Sequence, residues 1–428
     1  MVLMGVWLSA SDVQELGARE VAEALHKFEI DRASLFVLSN KAYFRPTESL
    51  YEGLPVTPKF MGDVLGDFVR EASRVGVEVT ATVVCMNNPE LSAGRPDLRQ
   101  VDPEGRPHDG AMCLNKGAVR RLLRAVAYDI ASNYDVAEVE LDYVRYKRSR
   151  RGRHLPLHLL ACRYCYCDAC RRRAEERGLD WGSVLRDVRA AFSEWATSPG
   201  AFSRMEALYT NSFDLVRAFV KYPSLAAWLR FRAESIAEFV GEVKSALEEA
   251  GTGVELSADL FYPSISWMVG QDYELLGKHL DSAKPMVYTK RMGAWEAGYL
   301  KEVVGELGSG YEPRVMAFLA EHLRLDLPSS VDELAREGFP HYVAYLEAKK
   351  ARLLLPARVK LYVGLYSARV EGAAETTPED VREASSYALA AGADGLYFFS
   401  LRATPKENLE AIREVKRITE ERERAQRG

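Results

Sequence analysis

The chain has 428 residues, 47% hydrophobic and 28% charged, with a formal net charge of −5. This is the composition of a folded globular protein, and the negative balance argues against a nucleic-acid binder. No apolar run approaches the roughly 20 residues that span a bilayer, and the start MVLMGVWLSA lacks a basic leader and reads as a first strand, so a cytoplasmic protein with no membrane partner is expected.

Eight strand-like runs appear in order, most followed by a helical pattern. The first covers 5–8, and the helix after it takes Ser11 as N-cap and runs to about residue 28. The second covers 34–38 and leads through a polar loop to a helix over 63–75. The third covers 77–85, and a long loop separates it from a helix over 117–133. The fourth is VAEVELDYVRY, residues 136–146. Its side chains alternate, so Glu138, Glu140 and Asp142 share one face and Val139, Leu141 and Tyr143 the other. Three carboxylates on a dry face are costly; they fit a face that lines a polar cavity with Asp142 at its mouth.

About a hundred residues precede the fifth strand, 254–261, and include a long helix over 225–250 that Ser224 is placed to cap. The sixth strand covers 282–288 and the seventh 359–366, with a mostly helical stretch between them. Thr377 and Pro378 open the next helix as N-cap and first residue. The eighth strand covers 394–399, and a charged helix from about residue 405 ends the chain. Near-continuous apolar strands alternating with helices mean a parallel sheet buried on both faces. Eight such units define an α/β chain, a (β/α)8 TIM barrel. The alternative, an open doubly wound sheet, lacks a GxGxxG after its first strand. The expected organisation is one barrel over 1–428, with long helical insertions after strand four (147–250) and strand six (291–355), both leaving from one rim.

In such barrels chemistry gathers where the strands end. Those ends carry Asn40 and Lys41, Asn87 and Asn88, Asp142 and Arg145, Asp259, then Tyr288, Lys290 and Arg291, Tyr366, Ser367 and Arg369, and finally Ser400 and Arg402. Asp259 follows from alternation with Glu255 and Ser257. Two strand-borne carboxylates among aromatic and amide groups suit a carbohydrate, with Asp142 and Asp259 as the catalytic pair. Arg145, Asn87, Tyr288, Tyr366 and Arg402 are the expected substrate contacts. None of the seven histidines ends a strand, and neither HxH nor HExxH occurs, which disfavours a metal-dependent hydrolase. Lys284 and Lys360 lie on strands but ahead of the apolar body, and are expected to face the lower end of the barrel, away from Schiff-base chemistry.

Of six cysteines, Cys162, Cys165, Cys167 and Cys170 fall within CRYCYCDAC. Four thiolates at this spacing can close around one tetrahedral zinc, a structural rather than catalytic site, with Cys113 able to replace Cys162. No organic cofactor is implied.

The loop RPDLRQVDPEGRPHDGAMCLNKGAVRRLL, the strand end ELDYVRY, the CYCDAC motif, the passages ADLFYPSISWMVGQDY and AKPMVY, and GADGLYFFSL resemble together a family of glycosyl-hydrolase-like TIM barrels across nearly the whole chain. CYCDAC is also similar to the CxCxxC of zinc-containing family-42 beta-galactosidases, whose fourth cysteine comes from an earlier loop. That likeness implies Cys165, Cys167 and Cys170, with Cys113 or Cys162 as the fourth. The beta-galactosidase clan keeps glutamates at the fourth and seventh strand ends, where this chain has Asp142 and no directly placed carboxylate; Glu371 comes several residues later. The alpha-amylase arrangement is closer, and implies Asp142 as nucleophile and Asp259 as acid, with Glu140 in reserve. The expected function is a glycoside hydrolase or transglycosidase acting on an oligo- or polysaccharide. The alternative is a non-catalytic carbohydrate-binding or scaffold barrel with structural zinc.

Overall fold

The computed structural model describes residues 2–147, 163–210, 214, 216–370 and 374–427; Cys162 and Glu371 lie outside them. The eight barrel strands are β1 (Leu3–Ser9), β2 (Arg32–Leu38), β3 (Glu78–Val84), β4 (Glu138–Asp142), β5 (Glu255–Phe261), β6 (Ser282–Met286), β7 (Lys360–Tyr366) and β8 (Gly395–Phe399). Each pairs in parallel with its sequence neighbours, and β1 pairs with both β2 and β8, which closes the barrel. Trp7 stands opposite Ser34 on one side and Phe399 on the other. No helix among the described residues is long and apolar enough to cross a membrane.

The alternation of β4 does what its spacing dictates. Val139 and Leu141 are buried outward, under the surrounding helices, while Glu138 and Glu140 are fully buried inside the barrel. Branched aliphatics normally fill this space. Here it holds ions and aromatics, and glycines make the room: a Cβ on Gly5 would lie 2.4 Å from the Tyr397 ring, and one on Gly364 2.9 Å from Trp7.

Lys284 occupies the centre of this interior, a correction to the sequence expectation. It stands opposite Asp259 in the β5–β6 register and binds both Glu138 and Glu140 with none of its side chain exposed. Inward parity decided this, because Ser282, Lys284 and Met286 alternate on one face of β6. Lys360, by contrast, is largely exposed.

Several helix ends also differ from expectation. The first helix is two, Ala10–Leu16 and Ala18–Lys27, broken at Gly17 with φ of 96°. Its cap is Ser9, whose hydroxyl accepts from the Ser11 amide. Ser224 is the first residue of the helix Ser224–Ala250 rather than its cap; its amide donates to Asp187 at 3.0 Å. Thr377 does cap Pro378–Ala390, in a reciprocal capping box with Asp380. The helix Ser224–Ala250 packs on Gly117–Asn133 as part of the outer ring, and Val343–Leu354 packs on β7.

Candidate active site

The C-terminal ends of the strands surround a cavity of about 550 Å³. Its lower part is aromatic. Trp7, Tyr288, Tyr366 and Phe399 form one contiguous cluster, with centroids 6.3 Å apart for Trp7–Tyr288 and 5.8 Å for Tyr288–Tyr366. Asp142, Tyr143, Arg145, Asp259 and Phe261 line the same cavity, and Asn40 and Asn87 its second and third strand ends.

Asp142 is the last residue of β4 and Tyr143 leaves it with φ of 51°. That left-handed turn is unfavourable for a bulky residue and re-aims the chain at the rim. It also lets the Tyr143 amide donate to Asp142 Oδ1 at 2.5 Å. Arg145 Nη1 donates to the same oxygen at 3.2 Å. The Arg145 guanidinium lies 4.0 Å from the Tyr143 ring centroid and 4.6 Å from that of Phe261, so it is clamped between two aromatic faces.

Asp259 is 2% exposed and its Oδ1 has no hydrogen-bond partner. Burial, reinforced by the nearby charges of Glu140 and Asp142, pushes its carboxyl well above the usual aspartate range. Burial also raises Asp142, but Arg145 and the Tyr143 amide oppose the shift. The two groups are thus in unequal environments within one cavity. Beneath them Trp7 Nε1 donates to Glu140 at 3.0 Å, and Ser34 and Thr82 donate to the same carboxylate. Burial alone would raise Glu138, yet Lys284 and Arg32 outweigh it and hold this carboxylate below its ordinary value.

Of the residues named from strand ends, Asn40, Asn87, Asp142, Arg145, Asp259, Tyr288, Arg291 and Tyr366 meet in the cavity. Arg402 does not line it; it is ion-paired with Asp12 and Glu15 at the surface. Arg369 pairs with Glu375 and Glu407, Lys290 with Asp380, and Ser367 bonds to Thr404. Asn88 is buried and its amide holds the Val84 and Cys85 carbonyls. Sequence reasoning missed Trp7, although inward parity at the end of β1 carries that signal. It also missed the side wall of Met292, Trp295 and Glu296, which comes from the helix Thr289–Leu307 and not from a strand.

Cys113, Cys165, Cys167 and Cys170 form a buried cluster whose sulfurs all lie within 4.8 Å of one another, and none is in a disulfide. The Cys113–Cys170 and Cys113–Cys167 separations are 3.4 and 3.7 Å. Tetrahedral zinc–thiolate geometry requires sulfurs about 3.8 Å apart, so the set fits a metal. The Val101 and Asn115 amides and the Asn115 side chain donate to three of the sulfurs, as thiolates favour. Asn115 also reaches the Tyr146 hydroxyl, joining the cluster to the turn that carries Arg145.

A closed (β/α)8 barrel with a carboxyl pair over an aromatic floor is the construction of a glycoside hydrolase barrel. The chain belongs to the family described as "Putative glycosyl hydrolase domain", whose model matches residues 56–302, a stretch containing both aspartates and all four clustered cysteines. No curated protein matches the sequence. Among solved structures, the fold is similar to the glycoside hydrolase domain of PgaB (BpsB) from Bordetella bronchiseptica, at 10% identity and TM-score 0.58 over 97% of this chain and 99% of that one. It is similar to the catalytic domain of beta-amylase from Paenibacillus polymyxa, at 12% identity and TM-score 0.57 over 96% and 97%. It is also similar to the beta-galactosidase of the psychrophilic Marinomonas ef1, at 13% identity and TM-score 0.60; there 97% of this chain matches 59% of the longer protein.

Proposed function

We propose that the protein cleaves a glycosidic bond of an oligo- or polysaccharide, with Asp259 as the acid and Asp142 as the nucleophile. The observation that carries this reading is the unequal pair. Asp259 is buried, unpartnered at one oxygen and raised, the state of a group that enters the cycle protonated. Asp142 is held by a cation and an amide, which favour its charged form. In the β4–β5 register Leu141 stands opposite Ala258, so one more residue places Asp142 beside Asp259. Neighbouring strands lie about 4.8 Å apart, so the two aspartates stand side by side at one level of the barrel mouth, the placement a catalytic carboxyl pair needs. Aromatic faces on the floor suit pyranose rings, and Asn87 and Asn40 suit hydroxyls.

The test is a screen on aryl glycosides and oligosaccharides followed by two variants. Asp142→Gly should lose turnover and regain part of it with external azide, giving a product of inverted configuration. Asp259→Ala should keep cleavage of aryl substrates with good leaving groups and lose those with poor ones. Near wild-type rates in both variants on a cleaved substrate would rule the assignment out and move attention to Glu140. A carbohydrate that binds without cleavage would instead favour a non-catalytic barrel.

The same reading includes one structural zinc held by Cys113, Cys165, Cys167 and Cys170. Four protein thiolates leave no open coordination position, so the metal's part is to tie the segment around Cys113 to the helix Asp168–Glu176. Elemental analysis of protein purified without added metal should find about one zinc per chain.

A further inference from the structure

The helix Thr289–Leu307 begins at the cavity and presents Arg291, Met292, Trp295 and Glu296 to it. Its first turn is basic and contains no acid. This is the reverse of what a helix N-terminus favours, because the positive end of the macrodipole repels cations. Lys290 is offset by Asp380, 3.3 Å away. Arg291 has no such offset among the described residues. Among the described residues no carboxylate pairs with it, and its guanidinium instead lies 5.3 Å from the centroid of Trp295. The other cavity arginine is different in kind: Arg145 is buried, clamped between two rings and engaged with Asp142. Arg291 is only half-buried and Trp295 is 48% exposed, so both remain accessible from the cavity mouth.

We infer that the site takes an anionic glycan, with Arg291 binding a carboxylate or sulfate group of a sugar that rests against Trp295. The inference rests on the glycoside hydrolase reading for its ligand class and adds the charge of that ligand. An arginine backed by an aromatic face keeps its planar fork free to bind two oxygens of an acid group. An unoffset cation beside a helix N-terminus is also stabilised when an anion arrives. Glu296 lies on the same wall and engages in a contact of its own.

The test is calorimetric titration of Asp142→Asn protein, which avoids turnover, with three sets of tetrasaccharides. Galacturonate and mannuronate tetramers form the carboxylate arm, carrageenan-derived tetramers the sulfate arm, and cello-, xylo- and galacto-tetraose the neutral arm. One anionic arm should bind more tightly than every neutral sugar. In an added Arg291→Gln change that binding should weaken roughly tenfold or more, as loss of a charged bidentate contact predicts. Arg291→Lys, which keeps the charge without the fork, should fall between, and its binding should be more sensitive to salt. The inference is overturned if a neutral tetramer binds best, if no anionic tetramer binds, or if Arg291→Gln weakens neutral and anionic sugars equally. Cleavage of a neutral glycan with no anionic binding removes this inference and leaves the hydrolase reading in place. Arg291-dependent anion binding, with no cleavage by the unmodified protein, does the opposite.

Discussion

Replacing Lys284 by Met tests the ionic interior on which the site stands. Lys284, Glu138 and Glu140 have fully buried side chains, and the one ammonium serves both carboxylates. Met keeps most of the volume, so little cavity is made and the effect is electrostatic. Glu138 retains Arg32, 3.6 Å away, whereas Glu140 keeps only the neutral donors Trp7, Ser34 and Thr82. Removing one partner from a buried ion cluster costs about 3–5 kcal/mol, with most of it arising at Glu140. The pH dependence has a definite sign. In the native protein Glu138 is held below its ordinary value of 4.5, so its contribution is present above that pH and lost as pH falls through the folded value. In the variant a buried carboxylate without its cation binds a proton more readily than the unfolded chain does. Its penalty is therefore greatest at neutral pH and shrinks toward about pH 5. Urea unfolding of both proteins at several pH values measures this directly. A loss under about 1 kcal/mol, in the range of exposed pairs, or a difference that does not change with pH, would refute the reasoning.

Three further outcomes are expected. The rate profile should be bell-shaped: activity needs Asp142 charged and is lost at low pH, and it needs Asp259 protonated and is lost as pH rises through that residue's raised value. Asp259→Ala, assayed on an activated aryl substrate, should lose the alkaline limb only. Cys167→Ser should lower the zinc content and the unfolding temperature far more than the specific activity of the protein that stays folded, since none of the four clustered cysteines lines the cavity. An equal fall in activity and stability would place the metal in the chemistry. Thr377→Ala should cost about 1 kcal/mol in urea unfolding by opening the capping box, and a change below a few tenths would mean that Asp380 carries the cap alone.

The barrel and much of its rim were legible in the chain because two periodicities are local. A spacing of two marks a strand and its inward face, and helices between strands force parallel pairing. Those rules alone place Glu138, Glu140 and Asp142 on one side of β4, and Asp259 at the rim end of β5; the register of the two strands then sets the aspartates side by side. The CYCDAC spacing likewise marks three members of the thiol cluster. Tertiary structure decided what lies across a gap in sequence. The order of apolar residues within β6 misleads about Lys284, whose position depends on the two glutamates 144 and 146 residues earlier that solvate its charge. Arg402 follows a strand end as Tyr366 does, but Asp12 and Glu15 on the helix Ala10–Leu16 draw it away from the cavity. Cys113 joins the cluster from 57 residues before Cys170. Arg291 is close enough to the end of β6 to be named from it, but Trp295 reaches the cavity only because a helix starts at its edge, and a helix carries no strand-end mark. Local spacing can say which face a side chain takes; only closure of the chain on itself sets which charges, rings and sulfurs that face will meet.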